Sequence, residues 1–211
     1  MAGRAPLRDS TLRRAARELA KRDPALGASV ERYGVPPMWA REPSYATLIH
    51  LILEQQVSLA SAQAAFDRLT TQLGAVTADG LLGLDDDQLR TIGFSRQKAG
   101  YARDLAHAMH DGFDLGALAE LRDDDVRTQL TQQRGIGPWT ADIYLTMCLL
   151  RPDVWPQGDL ALTTSALVVF ELPQRPTSDD LAARADEWRP YRAVAARILW
   201  HDYLRRRGLP V

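Results

Sequence analysis

The 211-residue chain is 45% hydrophobic and 25% charged, with a formal net charge of −1, the balance of an ordinary globular protein of one domain or two lobes. Its single cysteine, Cys148, excludes an internal disulfide, a four-cysteine zinc site and a four-cysteine iron–sulfur cluster. No apolar stretch of signal length opens the chain and no run of about 18 apolar residues occurs, so a cytosolic location without a membrane partner is expected.

The charge is segregated. Residues 1–24 hold seven Arg and Lys against three acids, Arg4, Arg8, Arg13 and Arg14 among the cations, and residues 184–207 hold seven Arg against three acids. Acids cluster instead at Asp85-Asp86-Asp87 and Asp123-Asp124-Asp125. Such a chain can turn a cationic face to phosphate despite its neutral sum; the same arginines equally suit solvated helix faces.

Almost every segment reads as helix. Asp9 or Ser10 can cap a helix to about Arg22, and Asp23-Pro24 opens a second that stops at Gly34. After Val35-Pro36-Pro37, Ser44 starts a helix through Leu48, Leu51 and Ile52, which breaks near residues 55–58. Another runs over Ala60, Ala64, Ala65, Phe66 and Leu69 to Gly74. Short helices are expected at 77–82 and 85–92, and Ser95 caps one that ends at Gly112. Residues 114–121 and 123–133 give two more. The spans 138–150, 159–171, 178–188 and 190–207 complete the pattern. No strand alternation or βαβ spacing is present, so the class is all-α. A two-lobed helical bundle with a cleft between the lobes, within a single domain 1–211, is the expected architecture.

The chain is organised around residues 130–162. Gly135 and Gly137 flank the apolar Ile136, and Pro138 follows where a new helix tolerates a missing N–H. This is a helix, a tight hairpin and a helix over about 123–150, and such a turn points backbone N–H groups at an anion. Asp159 follows Gly158 and precedes an apolar run. From the residues alone it is a helix N-cap or a fixed carboxylate that stabilises a cationic transition state, and the two roles are compatible.

Gly135-Ile136-Gly137-Pro138-Trp139-Thr140-Ala141-Asp142 with Gly158-Asp159 resembles the helix-hairpin-helix plus Gly/Pro-Asp (HhH-GPD) signature of base-excision DNA glycosylases. The resemblance extends to Leu53-Glu54-Gln55-Gln56-Val57-Ser58, to the loop from Ile92 to Lys98, and to Trp188-Arg189-Pro190-Tyr191-Arg192 through Trp200. It spans roughly residues 40–205, and the branch is the AlkA-type 3-methyladenine DNA glycosylase II group. Longer members carry an N-terminal mixed α/β domain; this chain resembles the compact form without it.

The resemblance implies a monofunctional enzyme that flips an alkylated purine, such as 3-methyladenine or 7-methylguanine, out of double-stranded DNA and hydrolyses its N-glycosidic bond. A monomer, nucleoid-associated when bound to DNA, is expected. Asp159 is the expected catalytic carboxylate. Bifunctional relatives place a Schiff-base lysine two residues after the second hairpin glycine, where this chain has Trp139; its only lysines are Lys21 and Lys98, so strand cleavage through an imine is not expected. Trp139 and Trp200 match aromatics of the base pocket, where an electron-rich ring attracts a cationic base; ordinary core packing is the alternative for each. The family's pocket tyrosine falls at Ile143, with Tyr144 beside it. Gln55 matches a pocket-edge residue, and Gln56 the wedge that fills the gap left by the extruded base.

DNA phosphate is expected at Gly135, Ile136, Gly137 and Thr140 of the hairpin, with Arg96 and Lys98 adding contacts. The resemblance also implies a monovalent cation, Na+ or K+, on the backbone carbonyls of Thr131, Gln133 and Ile136, with no cofactor for catalysis. Two other functions fit the residues: removal of deaminated bases such as uracil or hypoxanthine, and a helix-hairpin-helix DNA-binding module without catalysis.

Overall fold

The computed structural model describes residues 5–210; Arg4, counted among the N-terminal cations, lies outside them. The regular elements of the described residues are helical: α1 (Asp9–Arg22), α2 (Pro24–Tyr33), α3 (Tyr45–Glu54), α4 (Leu59–Leu73), α5 (Ala78–Leu82), α6 (Asp86–Ile92), α7 (Arg96–His110), α8 (Asp123–Thr131), α9 (Pro138–Ile143), α10 (Leu160–Val169), α11 (Ser178–Ala185) and α12 (Arg192–Arg206). The all-α class is therefore borne out. No helix among the described residues is long and apolar enough to cross a membrane.

Local chemistry explains most boundaries. Ser44, Ser58, Thr77, Asp85, Ser95, Asp159 and Thr177 each accept the backbone N–H three residues on, satisfying a donor that the first helical turn leaves unpaired. Asp23 does the same for α2, accepting from Ala25 and Leu26.

Three expectations need correction. Neither Asp9 nor Ser10 caps α1: the cap residue is Arg8, whose N–H donates to Thr11 Oγ1 at 2.8 Å, and Asp9 lies in the first turn. Residues 114–121 form only a 3₁₀ turn, Ala117–Glu120. Asp114 Oδ1 accepts the Gly116 N–H at 2.8 Å, a local turn that competes with helix initiation. The span 138–150 is not one α-helix, because α9 passes into a π-helical turn at Tyr144–Cys148. There the buried Arg197 donates to the Thr146 carbonyl at 2.6 Å, and the Arg151 N–H reaches back to the Leu145 carbonyl at 2.9 Å. A π-turn and an inserted side-chain donor are each recognised interruptions of the regular helical ladder.

The chain divides into two units, one made of residues 1–40 and 145–211, the other of residues 41–144. In the first, α12 is the central helix, packed by α10, α2 and α1, and every residue from Ala193 to Asp202 is buried. Its polar members are satisfied: Asp202 accepts from Ser29 and Ser165, and Arg197 donates to the carbonyls of Met38, Ala193 and Thr146. Burial holds the Arg197 pKa down to about 10. Helices α1 and α2 approach closely at Gly27, where a Cβ would stand 2.6 Å from the Ala20 carbonyl oxygen.

In the second unit α3 supplies the core, with Leu48, Ile49, Leu51, Ile52 and Leu53 at 0–2% exposure. Helices α4 and α7 pack against it, and the Tyr45 hydroxyl donates to the Ala102 carbonyl at 2.9 Å. Helices α8 and α9, the two arms of the hairpin, pack on each other in this unit.

Candidate nucleic-acid interface and active site

The turn between α8 and α9 is closed by its own backbone: the Gln133 N–H donates to Leu130, and the Ile136 N–H to Gln133, each at 3.0 Å. Gly135 has φ +88, a region that L side chains rarely adopt. It is also tightly backed, since a Cβ there would lie 2.3 Å from Tyr101 Cγ. Ile136 is 4% exposed, the apolar plug that its flanking glycines suggest. Gly137 differs from Gly135. Its φ is −92, it caps α9, and a Cβ on it would meet nothing within 4 Å. The first glycine is thus required by the fold, and the second keeps the outer surface of the turn open.

The two arms are tied by Arg127, whose Nε donates to the buried Asp142 at 2.6 Å. Arg134 sits in the turn itself, exposed, paired with Asp104 at 2.9 Å and over the Tyr101 ring at 5.4 Å. Neither Arg127 nor Arg134 was singled out by the sequence pattern. A basic residue directly before the first hairpin glycine is the signal for Arg134, whereas nothing local marks Arg127.

The loop after α3 meets the hairpin through the Gln55 side chain. Gln55 Nε2 donates to the Gly135 carbonyl at 2.9 Å and to Thr140 Oγ1 at 3.1 Å. Thr140 offers no open side chain to a phosphate: it is 2% exposed and its hydroxyl accepts from Gln55. Lys98 also departs from expectation. Its ammonium donates to the carbonyls of Leu53 and Gln55 at 2.8 Å each, and burial lowers its pKa. It secures the C-terminal end of α3 rather than facing a phosphate. Arg96, two residues earlier at the start of α7, is exposed. Gln56 is exposed and holds φ +59, beside Val57 at 47% and Leu59 at 58% exposure.

Trp139 is partly buried near the start of α9. Ile143 and Tyr144, expected at the base pocket, are enclosed by protein at 3% and 0% exposure, so they present core surface rather than an open wall for a base. Tyr144 closes the second unit, and α12 of the first unit carries Trp200, 8% exposed.

Asp159 belongs to the first unit, at the start of α10. Oδ1 accepts the Leu162 N–H at 2.9 Å, so it is the helix cap. The loop before it is fixed by Gly158, at φ +85, whose N–H donates to Ser178 Oγ at 2.7 Å, and by Gln157, whose amide donates to Asp179 at 2.7 Å. The next residue, Leu160, is 63% exposed. A carboxylate held in a fixed rotamer at a loop–helix junction, beside an exposed apolar side chain, is able to stabilise an adjacent cation without reorganising.

The family model of the HhH-GPD superfamily of base excision DNA repair proteins matches residues 49–190, from α3 through the hairpin and Asp159. This chain belongs to the HhH-GPD superfamily. Among its relatives, YfjP of Bacillus subtilis, provisionally named a DNA-3-methyladenine glycosylase, is 30% identical over 188 residues, 84% of this chain. The chain spans 65% of the length of that relative. DNA-3-methyladenine glycosylase 1 of Schizosaccharomyces pombe is 29% identical over 77% of this chain and 73% of its own. A solved structure of the Schizosaccharomyces pombe 3-methyladenine DNA glycosylase in complex with abasic DNA superposes with a TM-score of 0.79 at 27% identity, covering 89% of this chain and 95% of that one. Within the HhH-GPD match lie Gln55, Gln56, the hairpin, Trp139 and Asp159, while α1, α2 and Trp200 fall outside it.

Proposed function

We propose that this HhH-GPD protein is a monofunctional DNA glycosylase that extrudes an alkylated purine, of the 3-methyladenine or 7-methylguanine kind, and hydrolyses its N-glycosidic bond. The observation that carries this reading is the Asp159 carboxylate, fixed as the cap of α10 in a chain whose match to the superfamily spans both the hairpin and Asp159. As the glycosidic bond lengthens, the deoxyribose takes on oxocarbenium character. Asp159 stabilises that cation and orients the attacking water. A single acid suffices because an N-alkylpurine is a cationic leaving group, so departure requires no separate proton donor.

Trp139 offers its ring to the extruded base, and a π-face attracts a cationic purine more than a neutral one. Gln56 enters the duplex in place of the base. The open turn at Gly137, with Arg134 and Arg96, takes the DNA backbone. The carbonyls of Thr131, Gln133 and Ile136 are hard oxygen donors suited to Na+ or K+; Gln133 already accepts one N–H, from Ile136, and retains a second lone pair for a cation. Such an ion would supply positive charge to the phosphate next to the turn. The setting is DNA repair in the cytoplasm, on the nucleoid.

The deciding experiment is release of free base from randomly methylated DNA, compared with uracil-containing, hypoxanthine-containing and undamaged duplex. Release from methylated DNA alone is expected. Release only from the deaminated substrates, or from none at normal DNA affinity, overturns the proposal.

A further inference from the structure

Helix α3 ends at Glu54, and its final carbonyls carry the negative end of the helix dipole. Lys98 reaches these groups from a helix more than forty residues away. Its backbone is fixed first, because the Lys98 N–H donates to Ser95 Oγ at 3.2 Å and closes the cap of α7. Its ammonium then donates to the Leu53 and Gln55 carbonyls at 2.8 Å each. With the Gln55 carbonyl held, the Gln55 side chain extends to the hairpin at Gly135 and Thr140. The next residue, Gln56, is exposed at φ +59, a conformation disfavoured for a residue with a Cβ. Strain of this kind persists only where neighbouring groups enforce it, and the groups on its N-terminal side are Lys98 and Gln55.

We propose that Lys98 is a positioning residue for base extrusion: by clamping the Leu53 and Gln55 carbonyls it locks the loop to the hairpin and holds Gln56 in the conformation in which it enters DNA. This rests on the reading of Gln56 as the side chain that fills the duplex. It assigns Lys98 neither a phosphate contact nor an amine nucleophile. Burial lowers its pKa by disfavouring the charged form, and the two carbonyls it donates to act against that cost.

The test compares Lys98→Met, Lys98→Arg, Gln56→Ala and the double variant Lys98→Met/Gln56→Ala in the full chain. The readouts are affinity for undamaged duplex, affinity for duplex with a tetrahydrofuran abasic analogue, and fluorescence of 2-aminopurine beside the lesion, which rises on unstacking. Lys98→Met should keep its affinity for undamaged duplex but lose about tenfold in preference for the abasic duplex, with a reduced 2-aminopurine signal. Lys98→Arg, able to donate to both carbonyls, should recover most of that loss. The double variant should be no worse than the poorer single variant, because both act on one element.

An equal loss for undamaged and abasic duplex in Lys98→Met makes Lys98 a direct phosphate contact and overturns the proposal. Additive losses in the double variant overturn it as well. If Gln56→Ala leaves the 2-aminopurine signal unchanged, the Gln56 reading itself fails, an outcome distinct from failure at Lys98 alone. Should Lys98→Met not fold, Lys98→Gln, shorter and uncharged, takes its place, with a loss of the same sign expected and the same overturning results.

Discussion

The Asp159 carboxylate accepts the Leu162 N–H through Oδ1 at 2.9 Å, so the residue proposed to stabilise the transition state is also the cap of α10. The two roles can be separated because asparagine caps as well as aspartate but carries no charge. Asp159→Asn should unfold within about 0.5 kcal/mol of the parent and retain DNA affinity, while single-turnover base release is abolished. Asp159→Ala should lose base release and in addition about 1 kcal/mol of stability. Near-parental base release by Asp159→Asn would leave the residue with its cap role alone.

The two hairpin glycines should respond in opposite ways. Gly135→Ala places a Cβ against Tyr101 at a positive φ, and its unfolding midpoint should fall by the equivalent of roughly 1–3 kcal/mol. Gly137→Val adds bulk where no protein atom stands within 4 Å, so the fold should survive. Its affinity should fall alike for damaged and undamaged duplex, because the backbone approach is blocked. Loss confined to damaged DNA would place the hairpin at the base rather than at the phosphates. In the parent, the slope of log affinity against log salt should correspond to about two to five phosphates.

Incubation with abasic duplex and borohydride should trap no adduct at a lysine, and the product strand should remain intact until alkali is added. The Lys98 ammonium is held by two carbonyls, and by the family resemblance Trp139 replaces the imine-forming lysine of bifunctional relatives. Peptide mapping of any trapped complex gives the check; an adduct on Lys98 would refute both the monofunctional reading and the positioning role.

Under the proposed function, Trp139 should separate cationic from neutral lesions. Trp139→Ala should cost roughly 1–3 kcal/mol in transition-state terms on 7-methylguanine or 3-methyladenine, and Trp139→Phe should recover part. A neutral lesion should respond mainly to lost stacking area. The quantity to follow is the ratio of single-turnover rates on cationic and neutral lesions across Trp, Phe and Ala, with folding confirmed for each. A constant ratio would reduce Trp139 to shape and packing.

Much of this protein is legible without coordinates, because the signals act over a few residues. Ser44, Ser58, Thr77, Ser95 and Asp159 cap their helices by accepting an N–H three positions on, and the Gly-Ile-Gly-Pro run dictates a tight turn whatever surrounds it. The helical class and the family resemblance follow from those local patterns. Other features depend on groups far apart in the chain. Lys98 is indistinguishable from a solvated cation until α7 brings it to the carbonyls of Leu53 and Gln55. Nothing near Thr140 in the chain marks the partner of its hydroxyl, which is Gln55, 85 positions away. The π-turn at Tyr144–Cys148 has no sequence signal, and the side-chain donor to its Thr146 carbonyl, Arg197, comes from 51 positions away. Tertiary contact alone decides which partner satisfies a buried polar group, because desolvation removes water as the alternative and leaves the nearest protein oxygen or N–H to take its place.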